Sequence, residues 1–149
     1  MNNRRLNLSV FLAYCALMLW LLFDRPGHVP GVPYWDQVAR QLNLIPFRTL
    51  LHFIGLLNSG VRAYIRMAVI NLGGNIIMFI PLGFLLPRVF YRFSSLPRVL
   101  ISTAILISAV EIIQLFTLVG TCDIDDVILN VIGAAIGYLF HVHTKKPAP

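Results

Sequence analysis

The stretch TCDIDDVILN, residues Thr121 to Asn130, holds Asp123, Asp125 and Asp126, half of the six acidic side chains in a chain of 149 residues. Carboxylates grouped this closely can divide acid and base roles where their surroundings separate their pKa values, and their oxygens suit hard cations or ligand donors. They can also cap a helix start, satisfying free N–H groups and complementing the positive end of the dipole. Two other polar sets stand within apolar runs. Asn71 and Asn75 are four residues apart and share a helical face, as do Glu111 and Gln114, three apart, and Asn130 follows Asp126 by four. Capping cannot account for Glu111, which lies several residues inside its run. An ionisable group there costs on the order of 3 kcal/mol, so it is expected to face the bundle interior or water. Asn71, Asn75, Glu111, Gln114, Asp123, Asp125, Asp126 and Asn130 are therefore the candidate lining of a polar, ligand-binding cavity.

The elements that must position these residues follow from composition. With 58% hydrophobic and 12% charged residues, the chain falls in the membrane class. Four windows approach the roughly 20 apolar residues a span needs: 6–23, 67–86, 99–119 and 124–140. The expected fold is all-α, a single domain over 1–149 forming a polytopic bundle of four transmembrane helices. A fifth apolar stretch, 42–57, is too short to span comfortably. Arg48 and His52 share one face of it, as in an interfacial or re-entrant helix in the long first outer loop. The start of span two, the end of span three and the start of span four share a side, so the polar sets sit at one depth. Gly133 and Gly137 form a small-x-x-x-small pattern that lets span four approach span two or three closely. Pro81, helped by Gly83, can bend span two below Asn75.

The formal charge of +6 comes from basic residues placed mostly beside the apolar runs, which reads as topology rather than nucleic-acid binding. Arg4, Arg5, Arg88, Arg92, Arg98, Lys145 and Lys146 fall on one side of a four-span chain, predicting cytoplasmic termini. Five arginines in the 24–66 segment count against this, although long loops count for less. The apolar start reads as an uncleaved span, and the extreme ends, 1–3 and 147–149, as frayed. Cys15 and Cys122 are expected as free thiols. No G-x-G-x-x-G, P-loop or cysteine–histidine metal spacing occurs, so neither cofactor nor metal is expected.

Four motifs in order resemble the VanZ-like membrane proteins: NLIPFR near Asn43, GNIIMFIPLGFLLP from Gly74, SAVEIIQ from Ser108, and DIDDVILNVIGAAIGY from Asp123. They cover about 43–138. The resemblance implies a small polytopic protein of the bacterial cytoplasmic membrane, in a family whose namesake is associated with resistance to the lipid-tailed glycopeptide teicoplanin. It also implies functional roles for Asn75, Glu111, Gln114, Asp123, Asp125, Asp126 and Asn130, with Pro81 and Gly83 shaping the helix. Where many relatives carry a basic residue before D-x-D-D, this chain has Thr121 and Cys122.

Three functions stay open at this point. One is binding of an amphiphile, a lipoglycopeptide antibiotic or a lipid-linked envelope precursor, in an outward polar cavity. The second is an intramembrane carboxylate enzyme acting on such a lipid. No serine or cysteine has an evident activating base, and His28, His52, His141 and His143 lie outside the motifs, so nucleophilic catalysis lacks a candidate. The third is a transporter, an assembly partner in cell-wall synthesis or a homo-oligomer.

Overall fold

The computed structural model describes residues 3–24 and 27–144. Within them the chain forms α1 (Asn3–Phe23), α2 (Tyr34–Arg40), β1 (Leu42–Asn43), α3 (Arg48–Leu57), α4 (Arg62–Val89), α5 (Leu96–Thr117), β2 (Cys122–Asp123) and α6 (Ile124–Thr144). The fold is an all-α polytopic bundle in which α1, α4, α5 and α6 are long and apolar enough to cross a membrane. Lipid is the natural solvent for their outward faces, where Leu12, Leu19, Trp20, Ile77, Ile105 and Phe140 lie exposed. Lys145, Lys146 and the tail 147–149, expected to fray, lie outside the described residues, as do Met1 and Asn2.

The span limits move for local reasons. The second helix starts at Arg62 rather than residue 67 and runs through both Pro81 and Pro87 to Val89. The third stops at Thr117 because Leu118 adopts a left-handed conformation (φ 57°). The Leu118 N–H then reaches Leu115 O at 3.2 Å and Val119 N–H reaches Gln114 O at 3.1 Å, the paired bonds of a Schellman closure. The fourth is longer than 124–140, continuing to Thr144.

The 42–57 segment is not one helix. Leu42 and Asn43 pair in parallel with Cys122 and Asp123. Pro46 and Phe47, the latter left-handed at φ 66°, then turn the chain before α3 begins at Arg48. Two-residue strands carry no periodic signal, and the pairing depends on residues 80 positions away. The short α2 likewise has no counterpart in the sequence reading.

The glycine pattern of α6 seats it on α4. A Cβ at Gly133 would stand 2.2 Å from Ile76 O, and one at Gly137 would stand 2.0 Å from Ile80 O. From the other side, a Cβ at Gly83 would stand 1.9 Å from Ala134 O, so Gly83 serves the same close approach. On the opposite flank, α1 joins α4 through Tyr14, whose hydroxyl donates to Met78 O at 2.8 Å, and through a core of Met18, Phe79, Leu82 and Ile107.

Candidate functional site

The acidic turn is built around fixed hydrogen bonds. Asp123 precedes α6, and its Oδ1 accepts the Asp125 N–H at 2.9 Å, which makes it the cap of that helix. Its other oxygen accepts from Thr49 Oγ1 at 2.5 Å and Asn43 Nδ2 at 3.1 Å. Asp125 points the other way along the segment. Its carboxylate accepts the N–H groups of Phe47 at 2.6 Å and Leu50 at 3.0 Å, so one side chain caps the start of α3 across 75 residues of chain. The Cys122 N–H donates to Gln41 O at 2.9 Å, and the Asp123 N–H donates to Glu111 Oε2 at 3.1 Å. Two of the three aspartates thus fasten the α2–β1–α3 arm to the bundle. Partial burial pushes the Cys122 thiol above its ordinary value, and the negative charges of Glu111 and Asp123 add to the shift.

Asp126, the third, faces α4, where its Oδ1 accepts from Asn75 Nδ2 at 2.5 Å. Beside this pair lies a recess of about 350 Å³. The arm supplies one wall with Arg40, Gln41, Asn43, Arg48 and Thr49, and the bundle supplies the other with Asn71, Asp123 and Asp126, while Leu42 and Phe53 add an apolar border. Both positive and negative side chains therefore reach one space. Asn43 is oriented by donating its amide to Thr49 and Asp123, which leaves Asn43 Oδ1 buried without a donor among the described residues. Gln41 Oε1 is in the same condition. Both oxygens are shielded from the recess, and holding a buried acceptor without a partner costs about 1–3 kcal/mol.

The remaining expected residues are spread over neighbouring positions. Asn71 is exposed at the rim and donates to Met67 O of its own helix at 2.8 Å. Glu111, only 5% exposed, borders a different and mainly apolar cavity of about 170 Å³ with Leu44, Ile112 and Val127. Asp123 lies between the two, lining both. Gln114 is buried and donates to Leu22 O at 2.7 Å, tying α5 to α1. Asn130 is buried further along α6, with its Oδ1 unbonded among the described residues. The expected single cavity is thus two spaces sharing Asp123, with Gln114 turned to α1. Among the described residues, no three Asp, Glu, His or Cys side chains gather closely enough to hold a metal ion.

The family model for VanZ/LLP1 matches residues 11–144. The chain belongs to the VanZ/LLP1 family. Protein VanZ of Enterococcus faecium is 30% identical over 134 residues, which are 89% of this chain and 71% of that protein. No solved structure matches. In this VanZ/LLP1 chain, the positive charge near the acidic turn comes from Arg40 and Arg48 on the arm, while the turn itself carries Thr121 and Cys122. Arg40, Gln41 and Thr49 escaped the sequence reading because they face the recess only once the arm docks. The signal available was NLIPFR, whose asparagine and arginine flank the recess.

Proposed function

We propose that this VanZ/LLP1 protein binds the polar head of an envelope amphiphile in the recess between the α2–β1–α3 arm and the ends of α4 and α6. Sequestering or displacing that amphiphile would change its access to other molecules and so give low-level resistance of the teicoplanin type. The observation that carries the reading is the recess wall itself. Arg40 and Arg48 offer donors for an anionic group, while Asp126 offers an acceptor for hydroxyls, amides or an amine. At about 350 Å³ the space suits a head group rather than a whole glycopeptide. Leu42 and Phe53 at its edge suit the start of an acyl or prenyl tail.

The test is mass spectrometry of lipids extracted from gently purified protein, alongside teicoplanin susceptibility of cells producing it. Wild type is expected to retain a head-group species that Arg48→Gln and Asp126→Asn lose by at least tenfold, with teicoplanin protection falling and vancomycin susceptibility unchanged. Equal retention in all three proteins, at equal protein level, would remove the recess from the function.

A further inference from the structure

The opposite end of the bundle holds a second recess, of about 620 Å³, lined by Arg92, Phe93, Arg98 and Ser102. Its charge is unusual for this chain. All six acidic side chains, Asp24, Asp36, Glu111, Asp123, Asp125 and Asp126, lie toward the end where α1 finishes and α6 begins. Arg92 lies between the end of α4 and the start of α5, and Arg98 in the first turn of α5, where the chain supplies no acidic side chain to meet them. Their neighbour Arg88 is provided for internally. Its Nη2 donates to Thr144 Oγ1 at 2.7 Å, its Nε to His141 Nδ1 at 3.4 Å, and its guanidinium lies 3.7 Å over the Phe84 ring. Arg98 instead donates Nη1 to the Arg92 carbonyl at 3.3 Å, which draws the two arginines together.

The loop that carries Arg92 and leads into the first turn of α5 is held in place. Phe90 packs edge-on against Phe11 of α1 and Phe93, with centroids 5.7 and 6.3 Å apart, and Tyr138 of α6 donates its hydroxyl to Ser94 O at 2.9 Å. Ser95 occupies the cap position of α5 yet makes no side-chain cap hydrogen bond, and the first turn of that helix holds no acidic residue. The positive end of the α5 dipole therefore opens toward the same region without a carboxylate to complement it. Ser102 lies four residues after Arg98, so its hydroxyl shares the arginine's face. Arg98 sits within the first turn of a spanning helix, the level at which lipid phosphates lie.

From this cavity and its uncompensated charge we propose a second binding site, for the phosphate of a glycerophospholipid with a net negative head, seated between Arg92 and Arg98 with Phe93 against its glycerol or upper acyl region. A zwitterionic head would bring an ammonium group beside two guanidinium groups, so phosphatidylglycerol is favoured over phosphatidylcholine. The site is independent of the head-group recess at the other end and stands or falls separately.

The test uses the purified full chain in detergent with equimolar phosphatidylglycerol and phosphatidylcholine of the same acyl composition, read by native mass spectrometry. Wild type is expected to keep one phosphatidylglycerol under activation that strips phosphatidylcholine, a preference of roughly 30-fold for two arginines. Arg92→Gln with Arg98→Gln, both exposed positions, is expected to lose that retained lipid while its lipid-free melting temperature stays within a few degrees of wild type. Equal retention of the two lipids, retention unchanged in the double variant, or displacement by inorganic phosphate at matched ionic strength would each overturn the proposal.

Discussion

Asp125→Ala is expected to free the α2–β1–α3 arm while leaving the four long helices assembled. The carboxylate is 2% exposed and accepts the Phe47 and Leu50 N–H groups at 2.6 and 3.0 Å. A hydrogen bond to a charged group contributes about 1.5–3 kcal/mol, and removing the acceptor also strands two amides at a helix start. Because the released amides can hydrate once the arm lifts, the expected loss lies near the lower end of the sum, about 3–4 kcal/mol of docking free energy. Limited proteolysis should then cut between residues 42 and 57 in the variant and not in wild type, with helicity preserved. Asp125→Asn discriminates further. It keeps one acceptor oxygen but presents an NH₂ to the second donor, so it should fall between the other two. An arm equally resistant in all three proteins would mean that Asp125 does not hold it.

Gly137→Leu should have the larger effect on the bundle itself. A Cβ there would meet Ile80 O at 2.0 Å and Phe84 N at 2.9 Å, both backbone atoms that no rotamer change can move aside. Overpacking usually costs about 1–3 kcal/mol, and contact with backbone places this substitution at or above the upper figure. The α4–α6 seam must open, and the Asn75–Asp126 hydrogen bond across it should be lost with it. Detergent-solubilised variant is expected to melt at least 10 °C below wild type and to lose retained head-group ligand. Gly74→Ala is the matched control, since nothing lies within 4 Å of a Cβ at that position. A Gly137→Leu protein that melts with wild type would mean that the two helices are not in backbone contact.

These two substitutions mark what the sequence made legible. The spans were readable because apolar runs of about 20 residues have few alternative uses. The glycine pattern announced a close helix contact but not the partner. Ile76 and Ile80 of α4 became identifiable only in three dimensions, and Gly83, read as part of a bend, turned out to face Ala134. The aspartates were harder. From spacing alone, Asp123, Asp125 and Asp126 form one acidic group, and nothing in the sequence says that Asp125 caps a helix lying 75 residues earlier in the chain. Gln114 was placed with Glu111 by its spacing, yet its amide reaches Leu22 O of α1, a neighbour set by tertiary packing.

The central claim is that the acidic turn exists chiefly to dock the arm, which thereby forms one wall of the recess. Its most direct test uses the native thiol. Leu42 and Cys122 are paired residues of the parallel β1–β2 ladder, a Cα separation of about 5 Å that a disulfide can bridge. In a Cys15→Ser background, Leu42→Cys should form an intramolecular disulfide with Cys122 under mild oxidation in membranes, whereas Leu51→Cys on α3 should not. Absence of that crosslink at Leu42, with both thiols remaining alkylatable, would contradict the docked arm and the recess with it.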